Sequence, residues 1–197
     1  MHKIRHVRYH LPEEIDPGRV WFISDPHFDH DNILKYCSRP FRDISEMNAV
    51  IKRNWNKAIR KDDLVFFLGD MAFGRGSRAP RWWVSQLNGK KVYIKGSHDH
   101  GIRPTSNVPS VITIANSIVL VTDYGEALLI HNPHQDMVAD WEGWVIHGHV
   151  HDRKPLIDRE RMMINVSVEV IDYKPRSLKE IRKSIGDSMR EEQSISI

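Results

Sequence analysis

The chain has one cysteine, Cys37, among 197 residues. An intrachain disulfide is therefore excluded, and a reducing compartment suits the composition. No apolar run approaches the roughly 18 residues needed to cross a membrane. The opening Met1-His2-Lys3-Ile4-Arg5 lacks the apolar segment of a secretory signal. A cytoplasmic protein without a membrane partner is expected. Charge of one sign is also lacking: 29 Lys and Arg face 26 Asp and Glu, a formal net charge of +3. That balance admits an anionic substrate but falls short of the dense basic patch of a dedicated nucleic-acid binder, so long polymers are disfavoured without being excluded. No repeat, low-complexity tract or linker divides the sequence. One domain is expected over residues 1–197, its core spanning about residues 20–190.

Histidine, by contrast, is abundant, with twelve residues, and it is the commonest metal ligand. Its context comes from the apolar runs. Val20–Ser24, Leu64–Leu68, Lys91–Lys95, Ile118–Thr122, Ala127–Ile130, Trp144–Ile146 and Met162–Val168 read as strands. Asp123-Tyr124-Gly125 between two of them implies an antiparallel hairpin. The first three runs are separated by helical patterns, which implies crossovers and parallel pairing. Met47, Val50, Ile51, Trp55, Ala58 and Ile59 line one face of a helix from about Ser45 to Arg60. A second helix starts at Pro80 and stops at Asn88-Gly89, burying Trp83, Val84 and Leu87. A third begins at Ser177, with Glu180 at capping-box spacing. The expected class is α/β, a layered sandwich of two mixed sheets covered by helices, with ligands beyond the carboxyl ends of strands.

Acids and histidines punctuate those strand ends. Asp25-Pro26-His27, Gly69-Asp70, Gly96-Ser97-His98-Asp99, His131 and Gly148-His149-Val150-His151 each follow an apolar run. Alternate spacing lets both members of Asp25/His27 and of His149/His151 point into one place, and Gly69 lets the backbone turn beside Asp70. Each piece alone is more often a loop or turn. Together, in order and each behind a strand, they describe a pocket for metal ions, two by the number of ligands. Carboxylates mixed with imidazoles suit Mn, Fe or Zn better than an all-oxygen calcium site or a thiolate zinc site.

This ordered set resembles the calcineurin-like metallophosphoesterase family from about Val20 to Ile181. It is most similar to small bacterial and phage members, in segments like Ile23–Phe28, Asn32–Phe41 and Asn165–Leu178. The resemblance implies a four-layer α/β/β/α sandwich with a dinuclear metal site at the C-terminal rim of the strands. It also implies two divalent ions, Mn²⁺ first with Fe or Zn as alternatives, in a bacterium or a phage-infected cell. Carried over, Asp25, His27, Asp70 and His151 hold one ion, and Asp70 bridges to a second held by His131, His149 and position 97. A metal-bound hydroxide attacks, and His98 protonates the leaving oxygen while Asp99 orients its imidazole. The implied substrates are phosphodiesters, cyclic nucleotides or other small diesters. Nuclease or phosphomonoesterase activity is the alternative.

Ser97 departs from the pattern, since the family carries Asn there. A hydroxyl is shorter and a poorer neutral donor than an amide carbonyl; it ligates weakly, seats a water, or contributes nothing. A metal-binding scaffold with weakened catalysis is thus the alternative of another class. Other residues are candidates for substrate. Arg75, Arg78 and Arg81 follow Asp70 in a glycine-containing loop, where a guanidinium grips a phosphate or simply faces solvent. His30, Asn32 and His134 are placed to reach substrate or support ligands. Trp82 stacks a nucleobase or packs on the surface. His147 has the spacing to align with His149, although the motif does not require it. His100 reads as a loop residue and Cys37 as core rather than reactive.

Overall fold

The structure, a computed structural model, describes residues 7–100, 102 and 108–195, with side chains described as far as residue 186. Eleven strands run in chain order: β1 (Val7–His10), β2 (Val20–Ile23), β3 (Leu64–Phe67), β4 (Lys90–Ile94), β5 (Val111–Ala115), β6 (Ser117–Thr122), β7 (Gly125–Ile130), β8 (Trp144–His147), β9 (Ile157–Asp158), β10 (Met163–Asn165) and β11 (Arg176–Ser177). The helices are α1 (Ile33–Tyr36), α2 (Ile44–Ala58), α3 (Pro80–Gln86), α4 (Asp136–Ala139) and α5 (Leu178–Ile195). One sheet has the order β11-β2-β3-β4-β5 and the other β1-β6-β7-β8-β10-β9. Both are mixed. β2, β3, β4 and β5 are parallel, the first three joined by helical crossovers, while β11 is antiparallel to β2. β6 and β7 form the expected hairpin, paired from Ser117↔Ile130 to Thr122↔Gly125.

Continuous apolar runs, rather than alternating ones, mark the parallel strands because both of their faces are buried. In β3, Leu64 and Phe66 enter the core between the sheets, where they meet Ile118, Leu120, Leu129, Ile146 and Ile164 of the second sheet. Val65 and Phe67 point the other way, against Met47, Ile51 and Trp55 of α2 and Trp83 and Val84 of α3. The outer face of the second sheet carries Val119, Leu128, Ile130 and Val145, packed on Val138 of α4. The result is an α/β sandwich, helices flanking two sheets.

Several elements differ from the sequence reading. Val7–His10, ahead of the expected core, forms an edge strand parallel to β6. β5, β9 and β11 were not foreseen; the last two are only two residues long. The run Met162–Val168 is a strand only over Met163–Asn165. Beyond it the backbone crosses between sheets, with Ser24 N donating to Val166 O and Val168 N donating to Ser24 O. α2 is capped by Asp43, whose side chain accepts from Glu46 N. α5 begins with the capping box, Ser177 N to Glu180 Oε2 at 2.7 Å and Glu180 N to Ser177 Oγ at 3.2 Å. Its Leu178 and Ile181 enter the core between the sheets. No described helix is long and apolar enough to cross a membrane.

Candidate metal centre

β2, β3 and β8 deliver their motif side chains through the same backbone device. Asp25, His27, Asp70, His149 and His151 all sit at positive φ, between 49° and 71°. Non-glycine residues avoid this region, and each such position costs about 1 kcal/mol or more. Clustering of that strain at one rim marks a site the surrounding fold holds in place. The loops are tied to one another: Asp25 N donates to Gly69 O, His27 N to Asp70 O and Gly148 N to His131 O. His149 N and Ser167 Oγ donate to Asp25 Oδ2.

The six side chains assemble into two groups. Ligand atoms of Asp25, His27 and His151 lie within 4.8 Å of one another, as do those of Asp70, His131 and His149. Asp70 joins the groups, since its Oδ2 lies 3.6 Å from His27 Nε2 and 3.3 Å from His131 Nε2. His131 Nε2 is also 3.2 Å from His149 Nδ1. Asp25 Oδ1 and both ring nitrogens of His27 are buried without a hydrogen-bond partner. Leaving such groups unsatisfied costs about 1–3 kcal/mol each. A set of aligned carboxylate and imidazole donors with unused lone pairs fits divalent cations.

Further partners fix the ligands from behind. His131 Nδ1 donates to Leu68 O at 2.7 Å, which turns Nε2 toward Asp70. His151 Nδ1 donates to Glu169 Oε1 at 2.9 Å. Arg39, buried, donates to the same oxygen and spans the Asp25 and Pro26 carbonyls at 2.8 Å each. Charge follows this geometry. Burial alone pushes the Asp25 carboxyl up, but positive charge on His131 holds it well below the usual range. Burial likewise works against a proton on His131, yet Asp25 and Asp70 raise that imidazole to about 9. His151 is raised to about 10 against its burial, by hydrogen bonds with Cys37 and Glu169. The carboxylates demand positive charge at this rim, and divalent ions would supply it in place of protons.

The surroundings of Asp99 differ from the expected ones. Asp99 was expected to orient the His98 imidazole. It is instead fully buried and accepts from Asp70 N, Met71 N, Gly96 N and Tyr93 Oη, so it braces the Asp70 loop. His98 N donates to Asp70 Oδ1 at 2.8 Å, while its Nε2 stands 4.0 Å from Asp70 Oδ2 and its ring rests on Phe73. Burial, the largest influence, lowers the His98 imidazole. Ser97 is exposed. Gly96 before it has no room for a side chain, because a Cβ there would overlap Asp70 Oδ1.

Arg75 and His30 come together with His98, Asn32 and His100 along one open cleft of about 540 Å³. His30 is nearly buried, and burial followed by the charge of His27 lowers it to about 4. His134 is elsewhere, in a separate cavity of about 250 Å³ with His147, Lys154 and Met163. Arg78 is not free to grip phosphate: it pairs with Asp29 at 3.1 Å and lies over Trp82 at 4.6 Å. Trp82 accordingly packs on the surface as a partner of Arg78. Cys37 is half-buried against the helix-side core, and its sulfur also lies within 4.8 Å of ligand atoms of His151 and Glu169.

No family model matches the chain. A 174-residue alignment at 40% identity covers 85% of it and 91% of the uncharacterized protein MJ1445 of Methanocaldococcus jannaschii. The chain belongs to that protein's family. The Gene 66 protein of Mycobacterium phage L5 is 29% identical over 163 residues, 68% of this chain and 78% of the phage protein. Among solved structures, the protein of unknown function AQ665 from Aquifex aeolicus shares the fold, with a TM-score of 0.67, 27% identity, and coverage of 83% and 97% of the two chains.

Sequence reasoning missed Glu169, Arg39 and Asp29. The signal was present for the first two: each is a charged residue inside a segment that resembles the family, Asn165–Leu178 and Asn32–Phe41. Asp29 lies two residues past His27 at φ 64° and gathers Asn48, Arg78 and Trp83. Nothing along the chain distinguishes it from an ordinary turn aspartate.

Proposed function

We propose that the chain is a metal-dependent phosphodiesterase acting on small nucleotide diesters, cyclic nucleotides among them. The observation that carries this reading is the position of Asp70 Oδ2 between His27 Nε2 and His131 Nε2, which would let one carboxylate serve both candidate ligand groups. Likeness of the motif set to calcineurin-like metallophosphoesterases points the same way. Asp25, His27 and His151 would hold one ion and His131 and His149 the other, with Asp70 shared; Mn²⁺ is the proposed metal. Bound ions would neutralise phosphoryl oxygens and make water acidic enough to react. The chain supplies the rest. His98, at the edge of the cleft, gives its proton to the departing oxygen, which is a poor leaving group without one. Phe73 holds the His98 ring, and Asp99 holds the loop that presents Asp70.

The test is hydrolysis of bis-p-nitrophenyl phosphate with Mn²⁺ by the protein and by Asp70→Ala. Metal-dependent turnover that the substitution abolishes is expected. No turnover, or turnover indifferent to Asp70, overturns the reading. A second reading, a metal-binding scaffold with weakened catalysis, is favoured by the exposure of Ser97, the residue that the resemblance assigns to the second ion. Ser97→Asn then tightens Mn²⁺ binding and raises turnover at limiting metal; an unchanged titration removes this reading.

A further inference from the structure

The imidazole of His98 faces two ways. Its Nε2 stands 4.0 Å from Asp70 Oδ2, and the same ring lines the open cleft of about 540 Å³. An oxygen that takes a proton from His98 belongs to the leaving group, so the remainder of that group extends into the space beside His98. That space is the cleft, which is far larger than a simple alcohol needs.

The cleft wall has a definite chemistry. Phe73 is an apolar ring left 39% exposed, packed on His98 with centroids 3.9 Å apart and edge-on to His30 at 5.0 Å. Exposed aromatic faces of this kind accept stacked bases regardless of their identity. Arg75 lines the same cleft and, unlike Arg78, has no ion pair or hydrogen bond among the described residues. The two side chains are not on a free loop. Phe73 N donates to Phe28 O, Ser77 N to Gly74 O, and Arg78 N to Asp29 Oδ2. Since Phe28 and Asp29 directly follow His27, the backbone that carries Phe73 and Arg75 keeps a fixed offset from the candidate metal ligands.

We propose that this cleft is the leaving-group subsite and that it takes a nucleoside bearing a further phosphate, the base on Phe73 and the phosphate on Arg75. This assignment rests on the phosphodiesterase reading. In the step it describes, water adds to phosphorus and the P–O bond to the nucleoside breaks. The electron pair leaves on the nucleoside oxygen, which takes the His98 proton, and the proton of the water passes to solvent. The second product is the phosphate monoester of the other alcohol.

Thymidine 5′-(methyl phosphate) separates the two possible cleavages, because either the nucleoside or methanol leaves. With Mn²⁺ the expected products are thymidine and methyl phosphate, resolved by chromatography and phosphorus NMR. A 3′-phosphate on the same substrate lowers KM about tenfold, and Arg75→Ala erases that advantage. Phe73→Leu raises KM about tenfold and Phe73→Tyr restores it. Release of methanol with thymidine 5′-phosphate, while bis-p-nitrophenyl phosphate is still hydrolysed, overturns the subsite alone. A 3′-phosphate effect that survives Arg75→Ala overturns the role of Arg75. No turnover of either substrate overturns the phosphodiesterase reading and the subsite with it.

Discussion

His151 Nδ1 and the Arg39 guanidinium converge on one oxygen, Glu169 Oε1, at 2.9 Å from the imidazole and at 2.9 and 2.6 Å from Nε and Nη2. Glu169 thereby orients a candidate metal ligand and neutralises a buried cation at once. Glu169→Gln keeps the shape and removes the charge. Mn²⁺ affinity is expected to fall about 10- to 100-fold, and stability by about 3 kcal/mol, because Arg39 is left buried without its counter-charge. Calorimetric metal titration and denaturant unfolding read the two effects; wild-type values in both would remove Glu169 from the site.

Metal binding should depend on pH. His131 at about 9 and His151 at about 10 carry protons at neutrality, and an ion must displace them. Protons therefore compete with metal. Mn²⁺ affinity rises with pH from 6 towards 9, by about tenfold per unit for each proton displaced. Titrations in buffers of different ionisation enthalpy count those protons, and a buffer-independent heat would contradict the expectation.

His98→Gln should distinguish substrates by their leaving groups. An alkoxide needs the proton, so kcat on alkyl diesters falls about 100- to 10,000-fold. p-Nitrophenolate leaves without one, so bis-p-nitrophenyl phosphate is hydrolysed at close to the original rate. Equal losses on both would assign His98 to binding rather than to proton transfer.

Asp99→Asn tests the bracing role. The carboxylate accepts from Asp70 N, Met71 N, Gly96 N and Tyr93 Oη, and an amide cannot accept from all of them. The expected result is a metal affinity reduced about tenfold with the ratio of alkyl to nitrophenyl rates unchanged. A loss confined to alkyl substrates would return Asp99 to orienting His98.

Lys91 sits inside the helix-side core, its Nζ donating to Leu87 O at 2.5 Å and Gly89 O at 2.8 Å behind α3. Burial lowers its ammonium to about 8, against about 10.4 in the unfolded chain. Below about 8 both states are protonated and the folded state carries the full cost of the buried charge. Above it the unfolded chain binds the extra proton, so stability rises with pH, by about 3 kcal/mol at most. Denaturant midpoints at pH 7 and 9.5 should show the rise, and Lys91→Met should abolish it.

Legibility of the site followed its distance from the backbone pattern. The candidate ligands could be read because each stands one to four residues past the end of a buried strand, where the chain must turn. Asp25, His27, Asp70, His131, His149 and His151 are all found at that rim. Arg39, Glu169 and Asp29 were not read, since their roles come from partners up to 130 residues away, and only the first two carry a trace of them in the family-like segments. Asp99 shows a related effect. Its neighbour in sequence is His98, but its partners in space are the amides of Asp70, Met71 and Gly96 and the Tyr93 hydroxyl.

Local periodicity was enough to set the long strands, α2, the capping box of α5 and the β6–β7 hairpin, because each depends on contacts within a few turns or across one tight connection. Edge strands β1, β5, β9 and β11 came only with folding, since short edges take their pairing from whatever strand lies beside them. The left-handed backbone at five of the six ligands is the clearest case. No residue of that kind adopts it by preference, so it exists only where the packed loops around it outweigh the strain. The candidate ligands are written in the chain; their convergence is a property of the two sheets closing on each other.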